Sequence, residues 1–384
     1  MFGSIFTGLS GMNAFASGLR QISNNITNVN SNGFKSTSLL FSGLFAGNSQ
    51  RSEQTGQGVA LAQGRLDFSQ GELRQTDRDL DLAIDGGGFL VLLKNAEQYF
   101  ARTGSFEINA AGDIVLAGTD YKLMAVDANG VPQAVSVAPF RTSAPNATTK
   151  IQFSENLSST ATTPVTLSNI KVFDALGASA NWQARLERPA NTPAGEWSVT
   201  VTEGATEVGK QTLKFINGIV DPTTSQLTFT AGGRSVLLDF SRNVTSFSSG
   251  DVSTLRVASN DGYGSGDIST VRVTEQGLLE IAYTNEQKKS LGAVAIASLA
   301  STDTLKQLSG GLFELNDSVA REYLTSAHEK VGRVMSRRAE ASNVDLSEQF
   351  GDLILVQRGF QASSQVVSVS NDMIQQLFGM RGQG

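Results

Sequence analysis

Apolar residues at the two ends of the chain recur in alternating steps of three and four, and no other feature of the sequence limits the fold as much. From Met12 the row runs through Phe15, Leu19, Ile22, Ile26 and Val29, with Ile5 one heptad earlier and Gly8 between. At the other end Leu346, Leu353, Val356, Phe360, Val367, Ile374 and Leu377 share one register, with the small residues Ser363 and Ser370 at intervening positions. Sustained three-four spacing marks a helix with a narrow apolar stripe that must face another helix. The first row taken singly also fits an amphipathic helix over its own core, but two such rows predict paired terminal helices.

The rows have recognisable limits. Asn30, Ser31, Asn32 and Gly33 favour turns or left-handed backbone and predict a helix C-terminus. Asp345 and Glu348, three apart before the second apolar run, predict a capping box. Val366, Val369 and Met373 lie off the C-terminal row, so that helix is apolar over more of its circumference than a two-helix hairpin hides. On the first helix the flank carries Asn13, Ser17, Asn24 and Asn28, and the first acid of the chain is Glu53. Neutral polar groups are desolvated cheaply when hydrogen-bonded, so these helices are expected to pack among copies.

Between the ends the pattern is β. Residues 34–70 are rich in Gly, Ser and Gln without a period and read as an ordered, irregular connector. In "RDLDLAID", Leu80, Leu82 and Ile84 alternate with Asp79, Asp81 and Asp85, the signal of a strand with one solvated acidic face. Apolar content drops over residues 141–150. A second strand-rich stretch follows, with Trp197, Val199, Val201, Leu227 and Phe229 as inward candidates for a barrel or sandwich. The chain then returns to the first β domain, and "EKVGRVMSRRAE", residues 329–340, reads as a helix with a cationic stripe.

Composition excludes several functions. A net charge of -6 and a pI near 5.1 argue against nucleic acid, which needs a clustered basic surface. Without cysteine there are no disulfides or thiolate metal sites. The one histidine, His328, supplies no metal set, and no G-x-S-x-G elbow accompanies it. Asp77, Asp79 and Asp81 imitate a calcium loop, but Leu82 stands where the turn needs Gly and Gly88 where a Glu should bind. No catalytic, cofactor or metal residue is assigned, and no enzyme is expected. The N-terminal stretch has no basic residue before Arg20, which predicts no cleaved secretory signal, and no apolar run is long enough for membrane insertion.

"GLSGMNAFASGLRQISNNITNVNSNGFKST" resembles the N-terminal signature of the bacterial flagellar rod and hook axial protein family. Asn24, Asn25, Ile26, Asn28, Gly33, Phe34 and Lys35 carry the likeness, with Thr27 where Ala is commoner. "SNVDLSEQFGDLILVQRGFQASSQ" is similar to the family's closing helix at Asn343, Val344, Asp345, Leu346, Gln357, Arg358, Gln361 and Ala362. "LDLAIDGGGFLVL" and "RTGSFEINAAGDIV" look like its inner β domain. Residues 144–265 form an insertion that rod members largely lack, and Asp174, Leu176 and Gly177 resemble its entry in hook members, with Ala175 replacing Ser.

The resemblance implies an α+β multidomain fold: terminal helices 1–33 and 343–384 form a coiled-coil-like inner domain, 34–70 a connector, 71–143 and 266–342 an inner β domain, and 144–265 an inserted outer β barrel or sandwich. It implies a homo-oligomeric helical tube in the flagellar hook, outside the cell, that bends while transmitting torque. Implied partners are flagellar rod, hook cap and hook–filament junction proteins and the type III export apparatus, with neither nucleic acid nor membrane insertion. A distal rod subunit would instead build a straight tube. A secreted glycan-binding β protein would need an exposed aromatic or paired-carboxylate site, for which Trp182 and Trp197 are the only tryptophans.

Overall fold

The computed structural model describes residues 2–45, 56–61, 64–127, 130–189, 195–315 and 319–381. Two helices, α1 (Phe2–Thr27) and α2 (Leu346–Arg381), bracket an otherwise β chain. The chain divides into two compact units: Met1–Pro139 with Val271–Ile281 and Lys289–Gly384, and Phe140–Thr270 with Ala282–Lys288.

In the first unit, Phe89–Lys94 turns back on Glu97–Ala101 through Asn95 and Ala96, both at positive φ, as a two-residue hairpin requires. Phe89, Val91, Phe100, Met124, Ala295, Ala297 and Phe313 form a buried core. Phe68 closes it, with ring centroids 5.5 Å from Phe89 and 5.4 Å from Phe313. Asp81–Asp85 lies between Thr103–Ile108 and Arg333–Ser336, antiparallel to both. It differs from the expected half-solvated strand. Leu82, Ala83 and Ile84 are all buried, and Asp81 is buried too, accepting from Ser105 Oγ at 2.5 Å.

Two further expectations are corrected here. The connector is not irregular: β1 (Thr37–Ser38) pairs with β4 (Arg65–Leu66), and β2 (Phe41–Phe45) pairs with β3 (Gly56–Leu61). These strands are too short for a period to show, and α1 supplies their support. Ser10 Oγ accepts from the Val59 amide at 3.3 Å, and the Phe15 and Phe41 rings lie 5.3 Å apart. Residues 46–55 and 62–63 lie outside the description.

Residues 329–340 form no helix. Arg321–Leu324, Arg333–Ser336 and Arg338–Glu340 are strands, with Arg337 at φ 55° between the last two. Val334, 1% exposed, is the buried residue of its strand. The expected cationic stripe is broken up, since Lys330 pairs with Glu322 and Arg337 with Asp79. His328 sits exposed in the preceding turn, its Nδ1 accepting from the Lys330 amide at 3.3 Å.

The second unit is an antiparallel meander of Val165–Phe173, Ser179–Glu187, Glu196–Glu203 and Thr206–Ile216. Lys150–Asn156 runs parallel to Arg234–Asp239 and antiparallel to Arg256–Asn260. Ala180, Trp182, Ala184 and Leu186 point inward at strict alternation and meet Trp197, Val199, Val201, Leu227 and Phe229 in one core. Phe153 and Phe240 stack there at 4.5 Å. Both tryptophans are 1% exposed, so neither offers a face to a sugar ring.

Candidate functional site

The candidate site is the terminal helix pair and the anchor at its base. The helices run antiparallel: a Cβ on Gly8 would meet Val367 at 2.8 Å and the Ser363 carbonyl oxygen at 3.2 Å, whereas Gly18 faces Val356. A Cβ on Gly11 would lie 2.6 Å from Ser363 Oγ, and one on Gly359 only 2.5 Å from the Phe15 ring. Backbones come this close only where side chains are absent.

Ile22 is fully buried, while Ile5, Met12, Phe15, Leu19, Ile26 and Val29 are half-buried around it. On α2, Val356 and Ser370 are buried, and Leu353, Phe360, Val367 and Ile374 are half-buried. Leu346 is 40% exposed, and the Leu377 side chain lies outside the description. The apolar rows locate the contact, but Gly8, Gly11 and Gly18 are its deepest points on α1. Their signal in the sequence is the seven-residue step from Gly11 to Gly18.

Much apolar surface stays open. Phe6 and Leu355 are each 68% exposed, and Leu9, Phe350, Ile354, Val366, Val369 and Met373 are exposed as well. Phe6, Leu9, Met12, Ala16 and Phe360 line a shallow groove along the outside of α1. Contiguous apolar surface of this kind marks a contact with another molecule.

At the base, Asn25 is buried and fully used. Its amide nitrogen donates to Thr37 O at 3.0 Å and Gln349 Oε1 at 2.9 Å, and its oxygen accepts from the Thr37 amide. Asn343 accepts from the Ser36 amide at 2.8 Å and donates to Asp67 O at 2.8 Å. Asp345 caps α2, accepting from the amides of Ser347 and Glu348. Asn28 donates to the Asn24 carbonyl at 2.9 Å and holds the last turn of α1. Gly33, at φ 71°, then lets the chain fold back and donate to the Glu340 carbonyl at 2.8 Å.

Below lies an ionic cluster. Lys35 Nζ stands 2.7 Å from Glu340 Oε1 and 2.7 Å from Ser69 O, and both charged side chains are fully buried. Arg102 Nε reaches the other Glu340 oxygen at 3.2 Å, while its remaining nitrogens donate to Gly88 O, Gly86 O and Ile84 O. The Gly71 amide donates to Glu340 Oε1 at 3.0 Å. Burial lowers the Lys35 pKa against the opposing attraction of Glu340. Phe34 is buried beside the cluster, whereas Gln357 and Arg358 are exposed on α2. Thus Asn25, Gly33, Phe34, Lys35, Asn343 and Asp345, motif residues from both chain ends, meet at the base, whereas Gln357, Arg358, Gln361 and Ala362 lie further along α2. Sequence reading missed Arg102 and Glu340, which have no local signature.

Among the described residues no group of acids and histidine could hold a metal ion, and no helix is long and apolar enough to cross a membrane.

Residues 335–380 match the family model described as Flagellar basal body rod FlgEFG protein C-terminal. The flagellar hook protein FlgE of Salmonella typhimurium is 27% identical over 97% of this chain and 98% of its own length. FlgE of Brucella abortus is 28% identical over 99% of each chain. The Helicobacter pylori flagellar hook protein FlgE2 shares the fold, with a TM-score of 0.50 and 12% identity over 70% of this chain and 99% of its own. The mostly β chain bracketed by two helices thus has the fold of a flagellar axial protein, and its C-terminal helix matches that class in sequence. Over nearly its whole length the chain is similar to flagellar hook proteins.

Proposed function

We propose that the chain is the structural subunit of a bacterial flagellar hook, many copies of which assemble into a curved helical tube that passes torque from rod to filament. The observation that carries this reading is the exposed apolar surface of the α1–α2 pair, which a single chain leaves uncovered. The paired helices would line the channel, and the two β units, one inserted into the other as an inner and an outer domain, would lie outside them. Adjacent rod, hook cap and hook–filament junction proteins would cap such a tube at its ends. Export would run through the flagellar type III apparatus.

Bending requires contacts that exchange at small cost while the inner layer stays closed. The β surfaces, polar and low in charge, suit such exchange. The test is cryo-electron microscopy of material assembled from the purified full-length chain. Curved tubes with terminal helices around a channel are expected. Straight tubes would favour a rod subunit, and a stable monomer at high concentration would overturn the proposal.

A further inference from the structure

A second row on α2, Leu355, Gly359, Ala362, Val366, Val369 and Met373, stands one position ahead of the seam that meets α1. One residue is about 100° around a helix, so this row faces sideways from the pair. Phe15 covers Gly359, and the other five are exposed. Steps of four and three, repeated, are again the pattern of a seat for a helix. Glu348 extends the row towards the base with Asp352 beside it, and neither makes an ion pair among the described residues.

The outer face of α1 carries the complement. Phe6, Leu9, Ala16 and Arg20 lie along it, and Arg20 is the one charged residue of that helix. Among the described residues its guanidinium is bound only to Ser17 Oγ, at 2.8 Å.

We propose that the second row of α2 in one copy is covered by the outer face of α1 from a second copy, antiparallel, with Arg20 on Asp352 and Glu348. This rests on the self-assembly reading above. A single register sets Arg20 beside Asp352, Ala16 beside Leu355, Leu9 beside Ala362 and Phe6 beside Val366. Large side chains then face small or branched ones, as interdigitating helices require. Turning α1 end for end would place Arg20 against Val366 and leave both acids facing Phe6. Charge therefore fixes direction and register, while the apolar row supplies the contact area. Each copy carries both surfaces, so the contact can continue from copy to copy, as a helical tube needs.

The experiment measures the concentration at which the purified full-length chain begins to assemble, by sedimentation. Arg20→Glu and the pair Glu348→Arg/Asp352→Arg should each raise it about tenfold or more, and the triple variant should return to near the unsubstituted value. Arg20, Glu348 and Asp352 are all open enough that circular dichroism of the monomers should not change. The chain has no cysteine, so Leu9→Cys in one preparation and Ala362→Cys in another should give disulfide dimers only when mixed and assembled. Assembly by the unsubstituted chain with no effect of either reversal, or no recovery in the triple variant, overturns this contact and leaves self-assembly standing. Failure of the unsubstituted chain to assemble overturns both.

Discussion

Lys35 and Glu340 are 305 positions apart in the chain, yet Nζ and Oε1 lie 2.7 Å from each other with no exposure of either side chain. One follows α1 and the other precedes α2, so the pair ties both ends of the helix pair to the β unit.

Lys35→Met removes one cation and leaves Glu340 buried with Arg102 alone. Breaking a buried pair from one side costs about 3–5 kcal/mol. Urea unfolding followed by helical circular dichroism should show that loss. Tryptophan fluorescence should not, because Trp182 and Trp197 both belong to the other unit.

Asn25→Ala strands the Thr37 amide and the Gln349 carbonyl oxygen at a buried position. A loss of about 1–3 kcal/mol is expected in the same unfolding experiment, with no change in the fluorescence transition.

Gly8→Ala puts a methyl 2.8 Å from Val367 Cγ2. Overpacking of this kind costs about 1–3 kcal/mol. Val367→Ala should recover part of it, while the Ser363 carbonyl oxygen at 3.2 Å keeps recovery incomplete. A double-mutant cycle on helical stability measures the coupling.

Asp239 belongs to the second unit. Its burial raises the carboxyl pKa, but hydrogen bonds from Lys150 and Ser241 outweigh that and hold it down at about 2, below the ordinary 3.8. A depressed acid stabilises the fold above its unfolded pKa and loses that contribution as pH falls through the folded one. Tryptophan-monitored stability should therefore drop by about 1–2 kcal/mol between pH 4 and pH 2 from this group. Asp239→Asn should be less stable at neutral pH and should lack that part of the acid dependence.

Local chemistry made some elements readable. Asp345 caps α2, the Asn and Gly residues after Thr27 end α1, and Ala180 to Leu186 alternate as a half-buried strand should. What stayed hidden depends on partners far away in the chain. β2 and β3 exist because α1 supports them, and residues 333–336 become a strand because residues 82–85 lie beside them. A basic run such as Lys330 to Arg338 reads as a helix until the acids that separate its charges, Glu322 and Asp79, are known. Arg102 and Glu340 look like ordinary charged residues until the fold removes them from water. The apolar rows pointed to the right pair of helices, but they favour large side chains and so pass over the glycines where the backbones meet.

Those glycines have a mechanical consequence. Gly8 and Gly11 let the backbones close on Ser363 near the tip of the pair, while Asn25, Gln349 and the ionic cluster clamp the opposite end. The pair is clamped at that end alone, so a pull that parts the helices from the β unit has to break the Lys35–Glu340 contact.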